Sequence, residues 1–158
     1  LAVPVHVSGV TGRNVLRSTS VERRLVNGVR GSLKNTDDEW AFWKKNDSIA
    51  VTIDVGARKR LGKVSLGYLN HFGLGIHKPQ RVEVWLSDND VHYWKATEQT
   101  FGRDEIFAEG RFTEEMELIF KDVARYVRVI MKGAGKCPEH HVRPGLEAQI
   151  YLDEVLIE

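Results

Sequence analysis

Two stretches at opposite ends of the chain carry oxygens in a pattern that suits a hard cation. Leu25-Val26-Asn27-Gly28-Val29-Arg30-Gly31-Ser32 reads as a tight turn built on Asn-Gly, and Ile150 to Glu158 reads as a strand of branched and aromatic residues with Asp153 and Glu154 set inside it. A strand-borne carboxylate facing an oxygen-rich turn can seat calcium, which takes about six to eight oxygen ligands. The same residues admit another arrangement, in which a buried Glu154 accepts main-chain N–H bonds from the turn and holds no ion. Both arrangements pin the first turn against the last strand and so close a domain.

A second constellation is Cys137-Pro138-Glu139-His140-His141. Zinc takes four N, S or O ligands in a tetrahedron, adjacent histidines diverge, and no fourth ligand lies nearby in sequence. These histidines are therefore expected to be structural or to contact a ligand. The acidic runs Asp37-Asp38-Glu39 and Glu114-Glu115-Met116-Glu117 lack what glycosidic chemistry needs, two carboxylates facing each other across a cleft. They read as solvated charge. With no Gly-x-Ser-x-Gly elbow, no Gly-rich phosphate loop and no nucleophile–base pair, catalysis is not expected of this chain.

The residues best suited to binding are rings with polar neighbours, the combination that grips sugars. The ring takes the flat C–H face and donors fix the hydroxyls. The candidate rings are Trp40, Phe42, Trp43 and Phe72, although Trp40 and Trp43 also suit the edge of a core. Two long connections, Asn70 to Pro79 and Gly133 to Leu146, are rich in His, Lys, Arg and Gly, as binding loops often are. A ligand face built from them would use Trp43 or Phe72 as a stacking surface, with His71, Lys136, His141 and Arg143 as donors. Alternatively the histidines only cap loop carbonyls.

The elements that must position these residues are strands. Apolar residues alternate with period two over Ile49–Val55, Lys63–Leu69, Arg81–Ser87, Trp94–Thr100, Phe112–Phe120, Tyr126–Lys132 and Gln149–Ile157. Ser87-Asp88-Asn89-Asp90 marks a turn, and only Thr36–Phe42 or Thr113–Met116 suggests a helical turn. Strands at this spacing without helices between them predict an antiparallel sandwich with minor helix content. The 158 residues suffice for one domain, and the single Cys137 allows no internal disulfide. Lys plus Arg at 23 against Asp plus Glu at 22 gives a net charge of +1, with no electrostatic case for nucleic acid. No apolar run reaches membrane-spanning length. The chain begins with Leu1 and has no leader pattern, so it is read as a module of something longer.

In order along the chain, Leu25 to Ser32, Trp40-Ala41-Phe42-Trp43, Ala50 to Gly56, Val82 to Asp88, Ala124 to Val129 and Asp153-Glu154-Val155 resemble the coagulation factor 5/8 type C, or discoidin, domain. The resemblance spans residues 15 to 158. It is greatest for versions at the C-terminus of bacterial family 20 β-N-acetylhexosaminidases, grouped with family 32 carbohydrate-binding modules. There the last loop runs Lys-Cys-Pro, His, Gly and then Asp-Glu, as at Lys136-Cys137-Pro138, His141, Gly145 and Asp153-Glu154 here. The resemblance implies an eight-stranded antiparallel jelly-roll β-sandwich, galactose-binding-domain-like, with structural calcium where calcium is present. The implied metal set is Asn27, Ser32 and Glu154 with main-chain oxygens near Val29 and Leu152, and Asn27 stands where the family usually has Asp. Two other departures fall at Gly75 and Gln149, where the relatives tend to carry Trp.

The function implied is that of a non-catalytic carbohydrate-binding module that holds a secreted bacterial glycoside hydrolase, a β-hexosaminidase, near its glycan. Its partners would be a glycan of galactose or N-acetylhexosamine type and the catalytic domain of the parent chain. The location would be periplasmic, cell-surface or secreted. The competing expectation is an appendage that packs on the catalytic domain and binds no sugar. Membrane binding ranks behind both, because Leu74 and Ile76 form too short an apolar spike.

Overall fold

The computed structural model describes residues 6–11, 24–44 and 48–158, with the backbone alone for 6–11. Seven strands are described: β1 (His6–Thr11), β2 (Ala41–Trp43), β3 (Ile49–His71), β4 (Arg81–Ser87), β5 (Trp94–Thr100), β6 (Arg111–Lys132) and β7 (Ile150–Ile157). The strands expected around Arg81 and Trp94 fall on β4 and β5 as read. Seven strands are described where the resemblance implies eight, and some segments read as separate strands are continuous. Ile49–Val55 and Lys63–Leu69 are two halves of β3, and Phe112–Phe120 and Tyr126–Lys132 are two halves of β6. Thr113–Met116 therefore lies in β6 rather than in a helical turn. The helical pieces with described limits are a 3-10 turn at Phe72–Leu74 and one α turn at Arg103–Ile106.

Every strand pairing is antiparallel, and the register divides them into two layers. In one layer the first half of β3 pairs with β1 (His6↔Asp54) and with the second half of β6 (Ile49↔Met131), which pairs in turn with β4 and through it with β5. In the other layer the second half of β3 pairs with the first half of β6 (Leu66↔Met116) and with β7 (Val64↔Ile157), and β7 pairs with β2. The β3–β6 ladder crosses from layer to layer at two register shifts, between Asp54 and Lys59 and between Leu61 and Lys63. Such irregularities bend a strand, which lets one hairpin serve both layers.

Alternation then does the packing. Val51, Ile53 and Val55 from one layer and Val64, Leu66 and Val155 from the other join a single buried core with Val84, Leu86, Val127 and Val129. Each large aliphatic side chain taken out of water contributes roughly 1.5–3 kcal/mol, so this interface is the main source of stability. Trp43 belongs to the same core and is fully buried. That corrects its expected role: a ring enclosed on all sides cannot stack on a sugar. The two-fold alternation of Ala41 buried, Phe42 half-buried and Trp43 buried fixes it there.

The long loops leave the sandwich at the β3–β4 and β6–β7 connections. They are tied by short main-chain bridges, His71 with Ile76, Ile76 with Gln149 and Lys136 with Glu147. Gly75, with φ +69°, turns the first loop back on itself. Its left-handed backbone lets His71 and Ile76 exchange main-chain bonds of 2.9 and 3.1 Å.

Candidate functional site

The expected calcium locus comes first. Asp153 and Glu154 are both buried on β7, and the 28–31 turn wraps over them. Glu154 Oε1 accepts N–H bonds from Gly28 (2.6 Å) and Val29 (3.1 Å), and Asp153 Oδ2 accepts one from Gly31 (2.8 Å). Arg30 pairs with Asp153 and Glu115. Asn27 Oδ1 accepts the Val29 N–H, Asn27 Nδ2 donates to Glu39, and Ser32 Oγ accepts the Lys34 N–H. Leu152 sits in the core opposite Ala41 and Tyr68. The turn thus presents N–H donors to the carboxylates, where a calcium cage would need oxygens aimed at a shared centre. This donor set does not fit calcium and does fit a capped structural carboxylate. Burial pushes the Glu154 carboxyl up, opposed by the Gly28 and Val29 amides. Gly67 on β3 completes the arrangement, because a Cβ there would run into Asp153 Oδ1 and the Arg30 guanidinium.

The second locus joins three loops through side chains. Asn70, at the end of β3, donates through Nδ2 to the carbonyls of Ala108 (3.0 Å) and Gly110 (3.1 Å). That fixes the amide, so Oδ1 faces His77 Nδ1 at 3.0 Å and must accept its proton. His77 Nε2 is then a lone pair. It lies 3.0 Å from His141 Nε2, while His141 Nδ1 accepts the main-chain N–H of Arg143 at 2.9 Å. His141 must therefore carry its proton on Nε2 and donate to His77. Every proton in the chain Arg143–His141–His77–Asn70 is assigned, and both rings are neutral. Burial pushes His77 down to about 4, with the neighbouring His141 adding to the effect. Burial also lowers His141, helped by His140 and Arg143.

Cys137 completes a cluster in which the ligand atoms of His77, Cys137 and His141 lie within 4.8 Å of one another. Sequence proximity had shown only the cysteine and adjacent histidines, and His77 is the member it missed. The proton assignment nevertheless argues against zinc. A metal needs the Nε2 lone pair of His141, yet that nitrogen holds the proton as long as Nδ1 accepts from Arg143. The cluster is a hydrogen-bonded clasp between loops.

The clasp also redefines two expected sugar contacts. His141 is buried with both ring nitrogens engaged, so it offers no donor to a ligand, which corrects its expected role. Phe72 packs one face on the His141 ring, with centroids 4.0 Å apart. His71 is half-buried, and burial followed by the nearby Arg111 lowers its pKa.

Beside the clasp lies a groove of about 660 Å³. Its charged lining consists of Lys44, Lys136, Arg143 and Glu147, and its neutral polar groups include Asn35 and Gln149. Leu74, Ile76, Leu146 and Tyr151 supply apolar surface. Of the six residues expected to bind sugar, the groove takes Lys136 and Arg143; Trp43, His71, Phe72 and His141 do not line it. Lys44 enters because β2 ends one residue before it. Asn35, Glu147 and Gln149 enter because the loops fold onto β7. Lys44, Asn35 and Glu147 carry no sequence signal of their own, and Gln149 stands out only as a departure from the resembled pattern. Arg143 Nε donates to the Gly73 carbonyl at 2.6 Å, which anchors one loop to the other. Tyr151 is almost fully buried, stacked on Phe42 with centroids 4.8 Å apart. Gly75 and Gln149, both departures from the resembled pattern, are bonded to each other, with Gln149 N–H donating to Gly75 O at 2.8 Å.

The acidic runs are engaged elsewhere. Asp37 caps the Ser32 and Glu39 amides, Glu114 accepts the Tyr68 hydroxyl, and Glu117 pairs with Lys63.

No protein-family model matches the sequence, and no curated protein matches it. Solved structures do match in fold. CpGH89CBM32-5 from Clostridium perfringens, in complex with GalNAc-β-1,3-galactose, is 14% identical with a TM-score of 0.60, covering 99% of each chain. The CBM32 of AlyQ, in complex with 4,5-unsaturated mannuronic acid, is 14% identical with a TM-score of 0.58, covering 96% of this chain and 95% of that one. The C-terminal domain of a chitobiase from Bacteroides fragilis is 14% identical with a TM-score of 0.51, covering 98% and 93%. The β-sandwich architecture of this chain is thus the one found in family 32 carbohydrate-binding modules and in a chitobiase C-terminal domain.

Proposed function

We propose that this chain is a non-catalytic carbohydrate-binding module that tethers a larger, secreted bacterial glycoside hydrolase to its glycan. The observation that carries the reading is the groove. Its roughly 660 Å³ lies within the usual range of small-ligand sites, and it mixes apolar surface with convergent hydrogen-bonding side chains. It is held open by loops that the histidine clasp and the Arg143–Gly73 bond fix in place. The fold neighbours support the reading through the sugars in their complexes. A tether needs only modest affinity, because holding an enzyme near its substrate raises effective concentration without new chemistry. Such a module works where glycans are, outside the cytoplasm, with the catalytic domain of its parent as its other partner.

The test is calorimetric titration of the chain with galactosides, N-acetylhexosamines and uronate oligosaccharides, paired with NMR shift mapping. Binding should perturb the signals of Lys136, Arg143, Glu147 and Gln149. Heat with perturbations elsewhere would move the site out of the groove. Silence across the panel would favour the appendage reading, which draws its support from the internal engagement of Trp43, Phe72 and His141.

A further inference from the structure

The chain as a whole is almost neutral, yet the groove is not. Its lining holds Lys44, Lys136 and Arg143 against the single carboxylate of Glu147. Among the described residues, none of these three cations makes an ion pair. By contrast Lys63, Lys78 and Arg125 are each held by a carboxylate at 2.8–2.9 Å. Arg143 is also oriented in advance. With Nε fixed on the Gly73 carbonyl, its guanidinium plane is set and its two Nη groups form a fork of the kind that matches a planar carboxylate.

The groove also lacks what a neutral sugar relies on most. Tyr151, its one aromatic lining residue, is nearly fully buried with a face against Phe42. Trp40 and Trp43 are buried, and Phe72 gives a face to His141. Among the described residues, no exposed ring lies in the groove to take the C–H face of a pyranose, so affinity has to come from hydrogen bonds and charge.

Building on the carbohydrate reading of this groove, we propose that its ligand is an anionic saccharide, whose carboxylate or sulfate group is held by Arg143, Lys136 and Lys44. The acid group pairs with the Arg143 fork, the two lysines add long-range attraction, and Gln149 remains for hydroxyls, while Asn35 is bonded to the Tyr151 side chain.

The test uses the whole chain at low ionic strength. Affinity is measured for a uronate oligosaccharide, its methyl-esterified neutral counterpart, a sulfated oligosaccharide of the same length, and polyglutamate as a charge control. The uronate or the sulfated sugar should bind about tenfold or more tightly than the neutral sugar, as expected when one charge-assisted hydrogen bond is gained. Whichever arm binds more tightly identifies the acid group. The advantage should shrink as salt rises. Arg143→Gln, Lys136→Gln and Lys44→Gln should each weaken the anionic sugar severalfold, while Lys121→Gln on β6 should not. Equal or tighter binding of the neutral sugar would overturn the charge inference and leave the carbohydrate reading standing. Binding of polyglutamate as tight as that of the sugar would also overturn it, because the groove would then read charge alone. Failure of every saccharide to bind would overturn both.

Discussion

Replacing His77 by leucine should remove a pH dependence that the wild-type protein owes to one buried ring. The folded state holds His77 at about 4 against an ordinary value of 6.5, because burial and His141 both disfavour its charged form. At about 1.4 kcal/mol per pH unit, that difference amounts to about 3 kcal/mol of stability. The folded pKa lies below the unfolded one, so this contribution is whole above pH 6.5 and is lost as the pH falls towards 4. Protonating Nε2 also sets its new N–H against that of His141, with the Cys137 thiol adjacent and Arg103 lying over the Phe107 ring behind His77. His77→Leu leaves Asn70 Oδ1 and the His141 N–H unpaired, which costs about 1–3 kcal/mol for each buried group. The variant should therefore be clearly less stable at neutral pH and close to wild type in acid. Urea unfolding of both proteins across this range, followed by tryptophan fluorescence, measures the gap. Taking the difference matters because other groups titrate too. Glu154 is raised, which favours the folded state in acid, whereas Asp37, Asp122 and Glu158 are lowered, which disfavours it. A gap that stays constant with pH would refute the neutral, proton-assigned clasp.

Three other outcomes follow from the same geometry. Calcium and a chelator should give the same melting temperature, since the turn over Glu154 offers amides; a rise with calcium would show that an ion displaces them. Gly67→Ala should destabilise by about 2 kcal/mol or more, because its Cβ would displace the Arg30–Asp153 pair, leaving a buried carboxylate short of a partner. Gly62→Ala, whose Cβ would meet nothing nearer than 3.6 Å, is the matched control, and an equal loss in both would remove the collision as the cause. Trp43→Ala should cost about 3–5 kcal/mol in urea unfolding, as expected for emptying an enclosed aromatic site, and a loss under about 1 kcal/mol would contradict its place in the core.

Much of the sandwich was legible because alternation is a local property. Arg81–Ser87 could be read as a strand residue by residue, since packing of Val82, Val84 and Leu86 on one face leaves a period of two. The continuity of β3 and β6 could not. Gly56 to Arg60 and Lys121 to Arg125 are charged enough to read as turns, yet Lys59 pairs with Ala124 and Arg60 with Val123. What keeps them in the ladder is the partner strand, more than fifty positions away in the chain. The alternation of Ala41, Phe42 and Trp43 did hold the clue that Trp43 points inward, but a strand of three residues is too short to be read as one. The clasp was hidden for a different reason. His77 and His141 are 64 residues apart, and each alone reads as a loop histidine.

The character of the groove traces to one backbone decision. Gly75 adopts φ +69°, a left-handed backbone that favours glycine over any larger residue, and it packs against the Leu146 side chain. The same left-handed turn closes the His71–Ile76 bridge, and Ile76 then pairs with Gln149. His77 is the next residue, its main-chain N–H donates to Gln149 O at 2.9 Å, and its ring is thereby held against His141. The turn at Gly75 and the histidine clasp are thus parts of one arrangement of the loops. With the loop end fixed by neutral imidazoles and, among the described residues, no exposed ring in the groove, the proposed means of selection is the set of cations that make no ion pair there. The proposed preference for an anionic ligand thus rests on how the loops fold as much as on which side chains line them.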